Sequence, residues 1–193
     1  GLDAAMAEIT AIPALAGEAP FARLDLGGQI ALAGAPRETE ILVADPDDRE
    51  RPAVAVRIAT GSLATSGNGP RGLTVDGRRI GHLLDPRTGE PAPDFGSLTV
   101  WAPTALLADC LSTGLFVLGP EGTLAFARRR PEIGVLVLER RSGGLLAARV
   151  GGALAARSDL VRALAPRVRV ERDTAGSATA RTDPSTSEGS SLR

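Results

Sequence analysis

Two residues of this sequence, Asp109 and Thr113, have types and a spacing that suggest chemistry. They lie four positions apart in the stretch ADCLSTGLFVLG (108–119), so a helix would place both side chains on one face, one turn apart. A carboxylate and a hydroxyl are hard oxygen ligands, and Mg²⁺ is held by a few such ligands together with phosphate oxygens of a substrate. The alternative is an Asp that faces solvent and a Thr whose hydroxyl bonds back to the helix carbonyls.

The neighbours of Asp109 favour a functional role. They are mostly apolar and would make the helix apolar on most sides: Leu106, Leu107, Cys110, Leu111, Leu115, Phe116, Val117 and Leu118. We therefore expect Asp109 to be buried, and a buried carboxylate without a partner costs several kcal/mol. The side chain would then need a bound cation or a polar cleft.

His82 is the single histidine and a candidate general base, because an imidazole exchanges protons near neutral pH. It stands just before the turn sequence DPRTG (85–89), where the end of a strand would present it at the rim of a sheet. The alternative is a structural histidine with satisfied hydrogen bonds. The pairs Ser66-Gly67 and Thr88-Gly89 are equally open, since each is either a plain turn or a place where backbone N–H groups meet phosphate oxygens.

Composition excludes several other kinds of chemistry. All 22 basic residues are Arg, because the sequence contains no Lys, so a Schiff-base amine and a P-loop lysine are both excluded within this segment. The net charge of -1 gives no indication of a nucleic-acid partner. The single Cys110 cannot form an internal disulfide, and no apolar run reaches the ~18 residues of a membrane span. The compartment stays open.

The elements that must position these residues indicate an α+β fold. Strand-like runs outnumber helical ones and are joined mostly by hairpins, which predicts a mixed, largely antiparallel sheet with packed helices. The clearest hairpin is VDGR (75–78), in which the D-G pair supplies a tight turn. One helix is predicted over residues 3–16 with Asp3 as its N-cap, and another from Pro103 or Thr104 to a break at Gly119-Pro120.

A single domain is predicted over residues 1–164, because a chain of 193 residues with 43% apolar residues can build one hydrophobic core. Strands are expected over residues 133–139 and in the arm LLAARVG, which follows the turn Ser142-Gly143-Gly144. From about residue 165 the composition shifts to Arg, Ser, Thr, Pro and Gly. This shift predicts a disordered tail over residues 165–193.

Four successive stretches resemble the signatures of one known family. They are DLGG (25–28), LATSG (63–67), VDGRRIGHLLDPRTGEP (75–91) and WAPTALLADCLSTGLFVLG (101–119). The patterns H-x-x-D-P-R-T-G and A-D-x-x-S-T-x-L-F-V-L-G within them are long and specific. On these motifs, over about residues 20–140, the chain resembles the FAD:protein FMN transferase family, also called ApbE.

The resemblance implies a Mg²⁺-dependent enzyme that splits FAD, transfers FMN to a Thr or Ser hydroxyl of a partner flavoprotein through a phosphoester bond, and releases AMP. Asp109 and Thr113 match the family's metal ligands. His82 matches the histidine that helps to activate the acceptor hydroxyl. The residues that match FAD-binding segments of the family are Ser66, Gly67, His82, Asp85, Arg87, Thr88 and Gly89.

Two alternatives stay open beside this interpretation. The first is a Mg²⁺-dependent FAD pyrophosphatase, in which water replaces the protein hydroxyl and the products are FMN and AMP. The second is a non-catalytic FAD-binding remnant, because family members carry an N-terminal motif, D-x-G-x-x-x-K-G, that we expect upstream of Gly1. The resemblance also suggests a location in the cell envelope or on the extracytoplasmic face.

Overall fold

The structure, a computed structural model, describes residues 1–12, 21–68, 73–75 and 78–173. The helices in these ranges are α1 (Leu2–Thr10), α2 (Ala105–Val117) and α3 (Gly119–Arg129). The strands are β1 (Phe21–Asp25), β2 (Gln29–Gly34), β3 (Thr39–Asp45), β4 (Asp48–Ile58), β5 (Gly61–Gly67), β6 (Leu73–Val75), β7 (Arg78–Ile80), β8 (Gly96–Ala102), β9 (Gly134–Arg140), β10 (Leu146–Gly152), β11 (Val161–Ala163) and β12 (Val168–Arg172). Among these residues, no helix combines the length and the apolar character needed to cross a lipid bilayer.

A seven-stranded sheet forms the middle of three layers. Its strand order is β1-β2-β5-β8-β9-β10-β12, and neighbouring strands are antiparallel except β10 and β12, which are parallel. The helices pack on one face of this sheet, and a three-stranded antiparallel sheet, β11-β4-β3, packs on the other. The predicted α+β class, with a mixed and largely antiparallel sheet, is confirmed.

Strand β5 is buried on both faces, and its alternate residues serve two different cores. Leu63 belongs to the core against the three-stranded sheet, whereas Ala64 belongs to the core beneath the helices. Successive side chains of a strand point to opposite faces. Ser66 therefore falls on the helix side together with Ala64, and Thr65 falls on the opposite side.

Helix α1 is shorter than predicted and is capped differently. It ends at Thr10, and residues 13–20 lie outside the described residues. The prediction that Asp3 is the N-cap of this helix is wrong, because Gly1 occupies that position. The Asp3 carboxylate instead accepts hydrogen bonds from the backbone N–H groups of Ala105 and Leu106, at 2.7 and 2.8 Å, where α2 begins.

Helix α2 begins after Thr104 and ends before Gly119-Pro120, as predicted. The same Gly-Pro pair also starts α3, which the sequence analysis does not predict. Proline is well tolerated in the first turn of a helix, where its missing N–H is not needed. The arms of the predicted D-G hairpin, β6 and β7, pair through Val75↔Arg78, and the turn itself lies outside the described residues.

Strand β12 lies in the segment whose composition predicts disorder, so the predicted boundary at residue 165 is wrong for residues 165–173. The strand pairs in parallel with β10, from Leu146↔Val168 onward. Just beyond it, Asp173 accepts a hydrogen bond from the Arg128 guanidinium at 3.1 Å. These partners are distant in sequence, which is why composition does not reveal them. Residues 174–193 lie outside the described residues.

Candidate functional site

Helix α2 carries the two candidate metal ligands, Asp109 and Thr113. Thr104 is the N-cap of the helix, and its side chain accepts a hydrogen bond from the backbone N–H of Leu107 at 3.3 Å. Both candidate side chains are exposed. Because they are four residues apart in a regular helix, they lie one turn apart on one face, as their spacing predicts.

The expected burial of Asp109 is wrong. Helix α2 buries a single face, and Asp109 lies off it. The buried residues of this face are Ala105, Ala108, Ser112, Leu115 and Phe116. Apolar neighbours do not imply burial in this helix, since Leu106 is 69% exposed and Leu118 is 47% exposed. The charge of Asp109 is therefore solvated, and the fold needs no cation to tolerate it.

Ser66, near the end of β5, brings that strand into contact with α2. Its hydroxyl oxygen lies 2.9 Å from that of Ser112 and 3.2 Å from that of Thr113. Ser112 donates to the carbonyl oxygen of Asp109 at 3.0 Å. Each hydroxyl has one proton, so Ser66 donates to Ser112 and accepts from Thr113. The lone pairs of the Thr113 oxygen are then left for a further ligand.

Asn68 is a residue of this region that the sequence analysis misses. It is 1% exposed and follows Ser66 by two positions. Its Nδ2 donates to the carbonyl oxygen of Ala92 at 3.3 Å, and its Oδ1 accepts from the N–H of Leu83 at 3.5 Å. A buried side-chain amide must find such partners. Asn68 lies just after the end of strand β5. It therefore anchors both ends of the loop of residues 83–92, which comes directly after His82.

The segment DPRTG (85–89) forms a tight turn that is closed by its own residues. The Asp85 carbonyl oxygen accepts the N–H of Gly89 at 2.7 Å. The Asp85 carboxylate accepts from Nη2, Nε and the backbone N–H of Arg87 at 2.6, 2.9 and 2.9 Å. The side-chain bonds, followed by the backbone bond, lower the pKa of Asp85 to about 2. The ion pair therefore contributes its full stabilisation of the turn at pH values above 3.8, the ordinary pKa of Asp. This contribution is lost as the pH falls through about 2.

His82 follows strand β7 and its side chain is exposed. The residues around its loop hold that loop on the helix side of the sheet. Leu83 packs against the core cluster beneath the helices, and the ring of Phe95 stacks on Phe116 of α2 with centroids 4.4 Å apart. The loop with His82, the end of β5 with Ser66, and helix α2 therefore lie on the same side of the sheet.

Asp109 and Thr113 fit a cation that a substrate helps to bind. Among the residues that the structure describes, no three His, Cys, Asp or Glu side chains cluster as a complete metal site. An exposed carboxylate and hydroxyl, one turn apart, form an incomplete set of hard oxygen ligands. Mg²⁺ accepts such a set when phosphate oxygens and water fill its other positions. The exposed hydroxyl of Thr113, whose lone pairs are not used by Ser66, suits this role.

A separate cleft of ≈ 350 Å³ opens on the opposite side of the seven-stranded sheet, against the three-stranded sheet. Its lining includes Thr65 and Thr99, whose hydroxyl oxygens lie 2.8 Å apart. Of the predicted site residues within the described ranges, only Gly67 borders this cleft. The candidate metal ligands lie on the other side of that sheet, with the helices, and their side chains are exposed.

Comparison with solved structures defines the class of this fold. The ApbE protein of Thermotoga maritima is similar with a TM-score of 0.61 and 27% sequence identity, and the match covers 76% of this chain and 48% of that one. The flavin transferase ApbE from Vibrio cholerae, as an H-to-G mutant, is similar with a TM-score of 0.50 and 31% identity, covering 63% and 39% of the two chains. In class, the protein is an α+β protein with an ApbE-like fold.

Sequence comparison is more specific. The FAD:protein FMN transferase of Escherichia coli K12 is 42% identical over 91 residues, which cover 46% of this chain and 26% of the relative. That of Haemophilus influenzae is 32% identical over 129 residues, covering 64% and 37%. The chain thus spans less than half the length of these curated relatives. The sequence pattern of the ApbE family matches residues 18–137, more than half of the chain, and the chain belongs to that family.

Proposed function

We propose that this chain has FAD:protein FMN transferase activity, moving FMN from FAD to a Thr or Ser hydroxyl of a partner flavoprotein and releasing AMP. The observation that carries the proposal is the 3.2 Å contact between the hydroxyls of Ser66 and Thr113, one helical turn from Asp109. It joins two of the motifs of the chain at one place. The names of the relatives, FAD:protein FMN transferases, support the transfer of FMN from FAD to a protein.

Asp109 and Thr113 would hold the metal ion, which we propose to be Mg²⁺. When bound, Mg²⁺ neutralises negative charge on phosphate oxygens during phosphoryl transfer. The chain contributes positioning: the buried face of α2 holds the helix on the sheet. The Thr113 hydroxyl donates a hydrogen bond to Ser66, which leaves the lone pairs of its oxygen for the ion. The solvated Asp109 carboxylate is accessible without rearrangement of the core.

The strand end and the DPRTG turn would bind FAD. Ser66 and Gly67 lie beside α2, and the turn is part of the loop that Asn68 anchors. The Arg87 side chain is 66% exposed although it is paired with Asp85. A guanidinium has five N–H donors, so Arg87 can hold Asp85 and a phosphate oxygen together. The ion pair fixes the side chain in advance, which reduces the entropy lost on binding.

His82 would act as the general base and would border the bound FAD. In the proposed step it removes the proton of the acceptor hydroxyl, whose oxygen forms a bond to the phosphorus of the FMN half. The bond from that phosphorus to the oxygen of AMP breaks, and AMP leaves. An exposed imidazole on an anchored loop suits this role, because the acceptor belongs to another protein and must reach it from solvent.

The reaction is tested by incubating the chain with FAD, Mg²⁺ and an acceptor flavoprotein, and by measuring AMP release and the intact mass of the acceptor. We expect AMP and an FMN adduct on the acceptor in equal amounts, and neither product when EDTA is present. His82→Gln should lower the rate by ~10² or more, with a much smaller effect on FAD affinity. Equal rates for His82→Gln and the wild type would contradict the role of His82.

The same experiment without an acceptor distinguishes transfer from hydrolysis. If AMP and unattached FMN accumulate at the same rate whether or not acceptor is present, water is the nucleophile and the chain is an FAD pyrophosphatase. Metal-independent binding of FAD with no AMP in any sample would contradict both reactions. That result would favour a non-catalytic flavin-binding protein.

Gly89→Val tests the DPRTG turn. Gly89 has a φ of +75°, and a Cβ placed there would meet no atom within 4 Å, so the expected cost is purely conformational. We expect this change to destabilise the fold by about 1–2 kcal/mol and to weaken FAD binding. Gly89→Asn is the matched control, because Asn tolerates this conformation, and both quantities should stay near the wild type. Equal effects of Val and Asn would contradict the need for a left-handed backbone.

A further inference from the structure

The first turn of helix α2 is held by side chains from two other elements. The Asp3 carboxylate of α1 accepts the N–H of Ala105 through Oδ1 at 2.7 Å and that of Leu106 through Oδ2 at 2.8 Å. From β2, Nε2 of Gln29 donates to the carbonyl oxygen of Ala105 at 2.6 Å. The helix's own cap, Thr104, accepts only the N–H of Leu107. Asp3 thus satisfies two N–H groups that the local cap does not reach.

Apolar packing holds the two halves of α2 unequally. In the C-terminal half, Leu115 and Phe116 are buried, and Phe116 also stacks on Phe95. In the N-terminal half, the buried side chains are Ala105 and Ala108, which offer little apolar area. The N-terminal half is held by the polar contacts above and by a small apolar cluster in which Ala105 packs with Leu2 and Met6 of α1. That half carries Asp109.

One polar contact point lies before Asp109 along the helix, and another lies after it. Asp3 binds the backbone of residues 105 and 106, one turn before it, and Ser66 binds Ser112 and Thr113, one turn after it. A helix is stiff over two turns, so two fixed points determine its axial position and its rotation. The place of the Asp109 carboxylate relative to Thr113 and β5 follows from both contacts.

We propose that Asp3 is a positioning residue for the metal site, acting through helix α2. Its carboxylate bonds to the backbone of Ala105 and Leu106 and not to the candidate metal ligands. These charge-assisted hydrogen bonds fix the first turn of the helix that carries the ligands. The inference rests on the proposed function only where it concerns the metal. Its structural step, the dependence of the first turn on Asp3, stands on the geometry.

The test compares Asp3→Ala and Asp3→Asn with Glu8→Gln in the full chain. Glu8 is an exposed acid on the same helix, so its variant removes the same charge without touching α2. Metal affinity is measured with Mn²⁺ by EPR in the presence of FAD, and FAD affinity is measured separately without metal. Hydrogen exchange at the amides of residues 105–110, against those of α3, reports the first turn directly.

We expect Asp3→Ala to weaken Mn²⁺ binding by ~10-fold or more, which is typical for loss of a group that orients a metal ligand. FAD affinity without metal should not change, and exchange should quicken in residues 105–110 but not in α3. Asp3→Asn keeps one acceptor in place of the two carboxylate oxygens and loses the charge, so its Mn²⁺ affinity should lie between those of Asp3→Ala and the wild type, whereas Glu8→Gln should match the wild type. A solely stabilising residue would lower the melting temperature without this selective loss.

The possible failures are distinguishable. If the wild-type chain binds no Mn²⁺ with FAD, the proposed function fails, and the exchange data still decide the role of Asp3 in α2. If the wild type and Asp3→Ala bind Mn²⁺ equally, or if exchange in residues 105–110 is unchanged, the positioning role is overturned. If Asp3→Ala is poorly folded, the comparison of Asp3→Asn with Glu8→Gln gives the same decision.

Discussion

Replacing Asp109 by Asn is expected to lower Mg²⁺-dependent AMP release from FAD by ~10² or more while leaving the stability of the fold unchanged. Loss of the charged ligand removes several kcal/mol of metal-assisted charge stabilisation, and each ~1.4 kcal/mol corresponds to a tenfold change in rate. The side chain is exposed and lies off the buried face of α2. The free energy of unfolding should therefore change by no more than ~0.5 kcal/mol. Urea unfolding and a Mg²⁺ titration of the rate measure the two quantities.

Variants of Thr113 provide a matched control on the same helix face. Thr113→Ser keeps the hydroxyl and should retain most of the turnover, whereas Thr113→Val keeps the shape and should lose most of it. A wild-type rate for Asp109→Asn would exclude the carboxylate as a metal ligand. A large loss of stability in Asp109→Asn would instead indicate a structural role that its exposure does not suggest.

Gly96→Ala is expected to cause the largest loss of stability among single substitutions at the described glycines that border the candidate region. Gly96 begins β8 with a φ of +139°, and a Cβ added there would overlap the backbone carbonyl oxygen of Leu138 in β9. A backbone conformation suited to glycine costs about 1–3 kcal/mol for another residue, and overpacking costs about 1–3 kcal/mol more. Thermal unfolding should show a melting temperature lower by about 10 °C.

Gly114→Ala is the control with the opposite expected sign. Gly114 lies inside α2, and a Cβ placed there would meet no atom within 4 Å outside its own helix. Alanine is favoured over glycine inside a helix by about 1 kcal/mol, so the melting temperature should rise slightly. Equal melting temperatures for Gly96→Ala and the wild type would contradict the close approach of β8 and β9 at the pair Gly96↔Glu139, because the added methyl group would then have displaced β9 without loss of stability.

Local sequence patterns account for most elements that the structure confirms. The cap at Thr104, the end of α2 before Gly119-Pro120 and the arms of the β6–β7 hairpin are all present. Each depends on residues only a few positions apart, because caps, helix breaks and tight turns are formed by neighbouring residues. The helical turn between Asp109 and Thr113 is predictable for the same reason.

Two errors of interpretation had local signals that pointed the other way. Pro120 ends one helix and also suits the first turn of the next, and Glu121 in the first turn with Arg128 and Arg129 in the last complement the dipole of α3. The apolar residues around Asp109 suggested burial, although the spacing of the alanines and Leu115 marks a single buried face. In both cases the positions of the residues were more informative than the composition of the segment.

The pairing of strand β12 and the role of Asp3 could not be predicted from local patterns. The alternation of Val168 and Val170 with charged residues is a local strand signal, but only the fold decides that β12 pairs in parallel with β10. An Asp near a helix start predicts a cap, and only the packing of α1 against α2 decides that Asp3 caps the second helix instead of the first. Asn68 is a comparable case, since its partners belong to a loop that has to fold back onto β5.

The sequence by itself determined which residues are candidates for the proposed chemistry, and that Asp109 and Thr113 share one helix face. It did so because helical periodicity repeats every 3.6 residues and needs no distant partner. Tertiary structure alone decided that Asp109 is solvated, that Ser66 meets Thr113 across 47 positions of the chain, and that Asp3 holds Leu106 across 103. Such contacts arise only when the helices pack on the sheet, because the pattern of neighbouring residues does not specify which distant surfaces meet.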